Sequence, residues 1–303
     1  MAAMHREAID AALAARLVAA QFPEWADLPV VPVELPGWDN RTFRLGDAMT
    51  VRLPTAEGYV ASVEKEHTWL PRLAPRLPLP IPVPLALGAP RDEYPWPWSV
   101  RRWINGYVSS CERIRDLVGF ARDLAGFLVA LQSTDPTGGP AAGAHCFHRG
   151  SPPQFYDGET RGAIAALGPR IDGAAATAVW EAAVAATHHG PPVWFHGDVA
   201  SGNLLVDDHG ELAAVIDFGT SGVGDPACDL VIAWTLFHGE SRAEFRRLMP
   251  ADEGMWARAR GWALWKALIT IDNRQATVGD RTQAVRVADE VLAEHRLVPS
   301  RGA

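Results

Sequence analysis

The chain has 303 residues, 28 Lys plus Arg against 36 Asp plus Glu, a formal net charge of −8, and 48% apolar and 21% charged residues. That balance belongs to a soluble globular protein and excludes a disordered chain, a collagen-like repeat and a strongly basic nucleic-acid clamp. At about 100–200 residues per domain, the length accommodates two domains sharing a cleft.

The charges are uneven in kind and in place. Lys65 and Lys266 are the only lysines, so a site that needs a flexible ammonium has almost no candidates. Residues 1–106 carry 12 acids and 11 basic residues, whereas residues 107–303 carry 24 and 17. An acidic second half disfavours nucleic-acid partners and attracts a cationic small molecule, although the same acids also serve to solubilise a surface. Cys111, Cys146 and Cys228 show no CxxC spacing, which argues against a disulfide framework or a zinc site and for a reducing cytoplasm. Glu7, Asp10 and Arg16 interrupt any apolar leader, and no charge-free run approaches the roughly 20 residues of a membrane span, so no membrane partner is expected.

In chain order, residues 5–20 predict an amphipathic helix with Ile9, Leu13 and Leu17 on one stripe. Strands are expected at Val30 to Leu35, Thr42 to Leu45 and Met49 to Leu53, punctuated by Pro36-Gly37 and Gly46-Asp47. A helix fits Tyr59 to Leu73. Leu77 to Pro90, with prolines at 78, 80, 82, 84 and 90, predicts an extended connector, because proline lacks the donor a helix needs. Trp96 to Trp103 predicts another strand, broken by Ile104-Asn105-Gly106. Beyond it, Ile114 to Leu128 keeps the i, i+3, i+4 spacing of a buried helical face, and residues 133–157 predict a long loop. Helices follow at 172–187, 227–237, 254–272 and 280–296, around one β-rich island, Val193 to Phe218, with Asp207-Asp208-His209-Gly210 as its hairpin turn. The expected organisation is a mainly β lobe, 1–103, before a mainly α lobe, 104–303.

The island carries the chemistry. It reads His196-Gly197-Asp198-Val199-Ala200-Ser201-Gly202-Asn203, then Leu204-Leu205-Val206, the turn, and Val215-Ile216-Asp217-Phe218-Gly219. Asp198, Asn203 and Asp217 sit at the ends of apolar strands, where side chains reach a sheet's rim. A hairpin between Asn203 and Asp217 brings those two together. A carboxylate beside an amide oxygen suits Mg2+, a hard cation that keeps waters and shares phosphate oxygens. Asp198 is then placed to orient an incoming hydroxyl or take its proton, the division of labour that phosphoryl transfer requires.

These residues, with Gly224-Asp225-Pro226, resemble the signature of the aminoglycoside phosphotransferase family, relatives of the protein kinases. The resemblance covers nearly the whole chain and implies an α+β, bilobal protein-kinase-like fold, with a small β-rich N-lobe and a larger, mostly helical C-lobe. It further implies a phosphotransferase that uses Mg2+ and takes ATP or GTP as phosphoryl donor. Asp198 would be the catalytic carboxylate, with Asn203 and Asp217 on the metal. The turn Trp38-Asp39-Asn40 would cover the nucleotide phosphates, with Asn40 among the nucleotide contacts, although it lacks the glycines of a kinase phosphate loop. Where relatives carry a lysine for the α- and β-phosphates this chain has Arg52, a real departure, since arginine is longer, planar and differently aimed. Glu66 on the next helix would orient it, with Glu64 the second choice. Trp103 and Ile104 would flank the nucleobase at the hinge. His196 is expected to brace the loop, Asp225 to bond it, and Asp229 to cap or pair at the start of the next helix.

For the acceptor, Trp234, Trp256, Trp262 and Trp265 with Asp252, Glu253 and Asp272 suit a polycationic amino sugar through ion pairs and cation–π contact, but Trp262 and Trp265 also fit a core. The expected activity is O-phosphorylation of a small-molecule hydroxyl, an aminoglycoside-type antibiotic first. The alternatives are a metabolic kinase of a small amino alcohol, sugar or homoserine-like substrate, and a nucleotide-binding protein without transfer activity.

Overall fold

Val30–Pro32 (β1), Asn40–Leu45 (β2), Met49–Pro54 (β3), Pro84–Gly88 (β4) and Trp98–Arg102 (β5) form one antiparallel sheet in the order β1-β2-β3-β5-β4. The computed structural model describes residues 6–33, 37 and 39–297. Side chains alternate along β2, β3 and β5, so Phe43, Leu45, Val51, Leu53, Trp98 and Val100 form one buried cluster with the stripe Ile9, Leu13 and Leu17. Val51 and Leu53 point into that cluster, which leaves Arg52 between them aimed at the opposite face. Helix α1 spans Ala11–Gln21 and begins there because Asp10 caps it, accepting the Leu13 N–H at 2.7 Å. The expected strand to Leu35 runs to Pro32; Glu34 and Leu35, like His5 at the head of the expected first helix, lie outside the described residues.

The Pro-rich connector departs from expectation, because its Pro84–Gly88 part adds a strand. Proline is tolerated there because it opens the strand, and β4 lies at the sheet's edge. Helix α2, Val60–Leu73, ties the lobes together: Leu70 and Leu73 are buried in the core of the larger lobe, while Lys65 and Glu66 are buried toward the cleft.

The larger lobe contains α3 (Leu117–Gln132), α4 (Asp157–Leu167), α5 (Gly173–Ala185), α6 (Ile232–Thr235), α7 (Gly239–Leu248), α8 (Glu253–Asp272) and α9 (Val278–Leu297). Two helices escape the sequence periodicity. α4 contains two glycines and buries only Thr160, Ala163 and Leu167, and the polar α7 buries only Ser241 and Phe245. The expected helix at 227–237 divides into a 3-10 turn over Pro226–Val231 and the short α6. Two small sheets carry the site: Val193–Phe195 (β7) pairs with Gly222–Gly224 (β10), and Tyr107–Val108 (β6), Leu204–Val206 (β8) and Leu212–Val215 (β9) form a three-stranded sheet in the order β6-β8-β9. The architecture is a bilobal α+β kinase-like fold. Among the described residues, no helix is long and apolar enough to cross a membrane.

Candidate active site

The loop after β7 is held by its backbone. Asp229, fully buried, accepts the N–H groups of His196 at 2.8 Å and Gly197 at 2.7 Å. Gly197 adopts φ +87°, and a Cβ there would meet the Thr220 carbonyl oxygen at 2.5 Å, so the bend requires glycine. His196 is also fully buried. Its Nδ1 accepts the Asp198 N–H at 3.2 Å, which leaves Nε2 to donate to the Ile216 carbonyl at 3.0 Å. The imidazole thus braces the loop from both ring nitrogens. The two later aspartates exchange their expected duties: Asp229 bonds the catalytic loop, whereas Asp225 caps the Pro226–Val231 turn and pairs with Arg258 at 2.6 and 3.1 Å.

This scaffold presents Asp198 with both carboxylate oxygens engaged. Asn203 Nδ2 donates to Oδ2 at 3.1 Å and to the Asp198 carbonyl at 2.9 Å, while Lys266 Nζ, from α8, donates to Oδ1 at 2.7 Å. Burial pushes the Asp198 carboxyl up, but the Lys266 ammonium overrides it and holds it below the usual carboxylate range.

The hairpin β8–β9 forms as its turn residues dictate, with Leu204 opposite Val215, and the Ile216 N–H donates to the Asn203 carbonyl at 2.9 Å. Asp217 follows directly, so the pairing brings Asn203 and Asp217 to the same rim. Asp217 stands in the left-handed region (φ 64°, ψ 68°), where a short polar side chain is better tolerated than most. Phe218, fully buried and edge-on to His196 at 4.6 Å, anchors the turn, leaving the Asp217 side chain 34% exposed in the cleft.

One feature of this rim fits Mg2+. The Asn203 amide nitrogen is spent on Asp198, which leaves its amide oxygen and the Asp217 carboxylate as hard donors. A two-ligand site of this kind suits a cation that takes its remaining oxygens from phosphates and water.

The opposite wall is assembled from charges. Arg52 Nη2 donates to Asp217 Oδ1 at 3.0 Å, and its Nη1 lies 3.9 Å from Glu66. Glu66 makes its closest ion pair elsewhere, accepting both terminal nitrogens of buried Arg101 at 2.7 and 3.0 Å. Burial raises the Glu66 carboxyl, but Arg101, with help from Arg52, brings it down to about 2. Glu66 thus lies within ion-pair distance of Arg52, but Arg101 from β5 is its bidentate partner, and Arg52 leans toward Asp217. Lys65 runs under the turn after Asp217, donating to the carbonyls of Gly219 at 2.7 Å and Ser221 at 2.8 Å, and burial pushes its ammonium down to about 8.

The remaining expected nucleotide contacts divide. Asn40 is 6% exposed at the start of β2, opposite Pro54, and the alternation of the strand puts it on the same face as Thr42 and its partner Arg52. Its neighbour Asp39 is the residue of that turn facing the site: burial and the Asp217 carboxylate raise it to about 6, against the pull of Arg52. Trp38 lies outside the described residues. At the strap between the lobes, the Trp103 N–H donates to the Ala48 carbonyl at 2.8 Å, its indole N–H to Asn105 at 2.8 Å, and the Arg44 guanidinium carbon lies 3.9 Å from its ring centre. Ile104 follows, half-buried.

On the acceptor side, Trp262 and Trp265 are 3% and 5% exposed, yet they also line a depression beside Asp198 with Arg149 and Lys266. Trp234 and Trp256 are core residues in edge contact at 5.9 Å. Asp252 caps α8 and Asp272 pairs with Arg170 at 3.6 Å, so neither acid lines that depression. Sequence reasoning missed Arg101, Arg149, Lys266 and Lys65 as parts of the site, and of the turn it placed over the phosphates it singled out Asn40 rather than Asp39. The only advance signal was the scarcity of lysine, since one lysine of the chain bonds the turn after Asp217 and the other bonds Asp198.

The same architecture recurs in solved structures. The GDP complex of aminoglycoside 2'-phosphotransferase-IIIa is 16% identical, with 94% of this chain and 99% of that chain covered at a TM-score of 0.71. The streptomycin–ATP complex of APH(2")-IIa is 16% identical (94% and 96% covered, TM-score 0.58), and macrolide 2'-phosphotransferase MphH from Brachybacterium faecium is 19% identical (92% and 98% covered, TM-score 0.56). At these identities the likeness is one of fold. No curated protein sequence gives a significant match. The model of the phosphotransferase enzyme family matches residues 32–263, a stretch that holds Arg52, Glu66, Asp198, Asn203 and Asp217, and the chain belongs to that family.

Proposed function

We propose that the protein is an NTP- and Mg2+-dependent O-phosphotransferase acting on a hydroxyl of a small molecule, with residues 1–103 as the nucleotide lobe and 104–303 as the catalytic and acceptor lobe. The observation that carries this reading is the convergence of Asp198, Asn203 and Asp217 on one rim with Arg52 reaching them from the facing wall, through contacts of 3.1 Å or less between Asn203 and Asp198 and between Arg52 and Asp217. Asn203 and Asp217 would hold Mg2+, which when bound neutralises the phosphate oxygens. Arg52 leaves Asp217 for the α- and β-phosphates of the nucleotide, and Glu66, clamped by Arg101, keeps a negative charge behind it. Trp103 and Ile104 border the nucleobase, with Asn40 at the root of the turn over the phosphates. Asp198 orients the acceptor hydroxyl. As the acceptor oxygen bonds to the γ-phosphorus and the bond from that phosphorus to the leaving diphosphate oxygen breaks, the hydroxyl proton passes to Asp198 and the nucleoside diphosphate departs.

For the acceptor, the fold neighbours supply an aminoglycoside-type antibiotic as the first candidate, because one holds streptomycin together with ATP. The second reading, a metabolic kinase of a sugar, amino alcohol or homoserine-like compound, is favoured by one specific observation: two of the residues lining the acceptor depression are cations and one is an acid.

Nucleotide-dependent thermal shift with and without Mg2+, followed by a transfer screen over both acceptor groups with ATP and GTP, tests the activity. Asp198→Ala should lower transfer by about 100- to 10,000-fold, the usual contribution of a positioned base, while leaving Mg–nucleotide stabilisation within about twofold. A protein that Mg–nucleotide fails to stabilise is no phosphotransferase, and equal loss of binding and transfer in the variant would remove Asp198 from its role.

A further inference from the structure

The depression beside Asp198 is lined by Arg149, Val199, Val231, Trp262, Trp265 and Lys266 among others, and Asp198 is its only carboxylate among the described residues. Arg149 comes from the loop before α4, and its guanidinium carbon lies 4.5 Å from the Trp265 ring centre, 5.5 Å from that of Trp262 and 5.9 Å from that of Tyr156. Three aromatic faces thus hold the cation in place. Its Nη1 is fully buried and has no hydrogen-bond partner among the described residues. A buried charged donor left in that state is costly, and native proteins leave few such groups without a reason.

The acid that could satisfy Arg149 is already spoken for. Asp198 gives one oxygen to Lys266 at 2.7 Å and the other to Asn203 at 3.1 Å. Glu159 accepts the Trp265 indole N–H at 2.6 Å. Two cations therefore share one carboxylate at the point where the acceptor must enter, and the Lys266 side chain is 43% exposed, open to a ligand. The acidic excess of residues 107–303 does not gather here.

We propose that Arg149 and Lys266 form an anion-recognition site for the acceptor, so that the compound phosphorylated carries a carboxylate or phosphate group on a small hydroxylated body packed against Trp262 and Trp265. This inference rests on the phosphotransferase reading and narrows its substrate class. A polycationic amino sugar would bring further positive charge against both groups. An anionic acceptor instead supplies a partner for the Nη1 of Arg149 and draws Lys266 partly off Asp198, which frees a carboxylate oxygen for the acceptor hydroxyl.

Five probes that share one ring but differ in charge test it: glucose, glucuronate, glucose 6-phosphate, glucosamine and, as the polycation, kanamycin. Binding is read from quenching of tryptophan fluorescence in the presence of Mg2+ and a non-hydrolysable ATP analogue, and transfer is read with ATP. The expected result is at least tenfold tighter binding of glucuronate or glucose 6-phosphate than of glucose or glucosamine, and the two anionic arms separate a carboxylate site from a phosphate site. Lys266→Gln and Arg149→Gln should each lower the ratio of anion to glucose affinity at least fivefold, whatever they do to transfer, because Lys266 also touches Asp198, and Lys266→Arg should restore that ratio. Preference for kanamycin or glucosamine overturns the inference. So does the absence of any charge preference, including failure of all five to bind, and so does a loss in the variants that is equal for every probe. The nucleotide thermal shift is independent of these readouts: if it persists while the anions are ignored, only the substrate class fails.

Discussion

The two walls of the cleft are built by different means. The wall of Asp198, Asn203 and Asp217 comes from 22 consecutive residues, 196–217, and backbone hydrogen bonds fix it: Asp229 on two N–H groups, His196 on Ile216, Ile216 on Asn203. The facing wall draws isolated side chains from β3, α2 and β5, and the loop before α4 and α8 add Arg149 and Lys266 beside Asp198; charge pairing holds most of these residues. Local backbone bonds set positions that a ligand does not disturb. Charge pairs set positions that a charged ligand can exchange. Of the three shortest ion pairs at the site, Arg52–Asp217 and Lys266–Asp198 are partly open to solvent and join a cation to an acid of the rim, whereas Arg101–Glu66 is sealed, with side chains 2% and 1% exposed. The first two are suited to giving way to substrates and the third to permanence.

Asp229→Ala tests the backbone-held wall and should have the largest effect. It strands two buried N–H donors at about 1–3 kcal/mol each, so unfolding free energy should fall by roughly 2–6 kcal/mol in urea titrations. A loss below about 1 kcal/mol would mean that water reaches the loop and that the wall is not held as described.

The charge-held wall is sharpened by contrasting two arginines. Arg101→Met leaves Glu66 buried with only Arg52, 3.9 Å away, and should cost about 3–5 kcal/mol of stability, as for any broken buried pair. Arg52→Met should cost about 1 kcal/mol or less in the same urea titration, since Asp217 is a third exposed, but should weaken Mg–nucleotide binding at least roughly tenfold in a calorimetric titration. Equal destabilisation by both variants would erase the distinction between the sealed and the exchangeable pair.

The same division explains what could be read from the sequence. Asp198, Asn203 and Asp217 were legible because fixed spacing and a turn at Asp207–Gly210 determine where they meet. Sheet strands β2 and β3 were legible because apolar alternation and Gly46-Asp47 specify both register and turn. Arg101 was legible only as one residue of the strand Trp96 to Trp103, because nothing local distinguishes a strand arginine that points at Glu66 from one that points at solvent. Arg149 and Lys266 lie 117 residues apart and meet only through the packing of α8 on the catalytic loop. The swap between Asp225 and Asp229 has the same origin: two acids four residues apart at a helix start are equivalent until the tertiary fold supplies Arg258 to one and two backbone amides to the other.

The smallest expected effect lies where the two walls meet. Asp39 faces both Arg52 and Asp217, and burial together with the Asp217 carboxylate raises its carboxyl to about 6. Because that value is above the unfolded one, the folded protein holds a proton between about pH 4 and 6 that the unfolded chain has released. The resulting stabilisation is fully present below pH 4 and is lost as pH rises through 6. At neutral pH Asp39 is therefore a second negative charge beside the Asp217 carboxylate, opposed chiefly by Arg52. Asp39→Asn fixes the neutral form. The variant should gain about 1 kcal/mol on the wild type as pH rises from 5 to 7.5, after solvent screening of a partly exposed group, and should bind Mg–nucleotide a few-fold more tightly at pH 7.5 but not at pH 5. Melting curves and nucleotide titrations across that range decide the matter. Parallel pH profiles for the two proteins would place Asp39 outside the electrostatic reach of Asp217, and Arg52 would then answer to Asp217 and Glu66 alone.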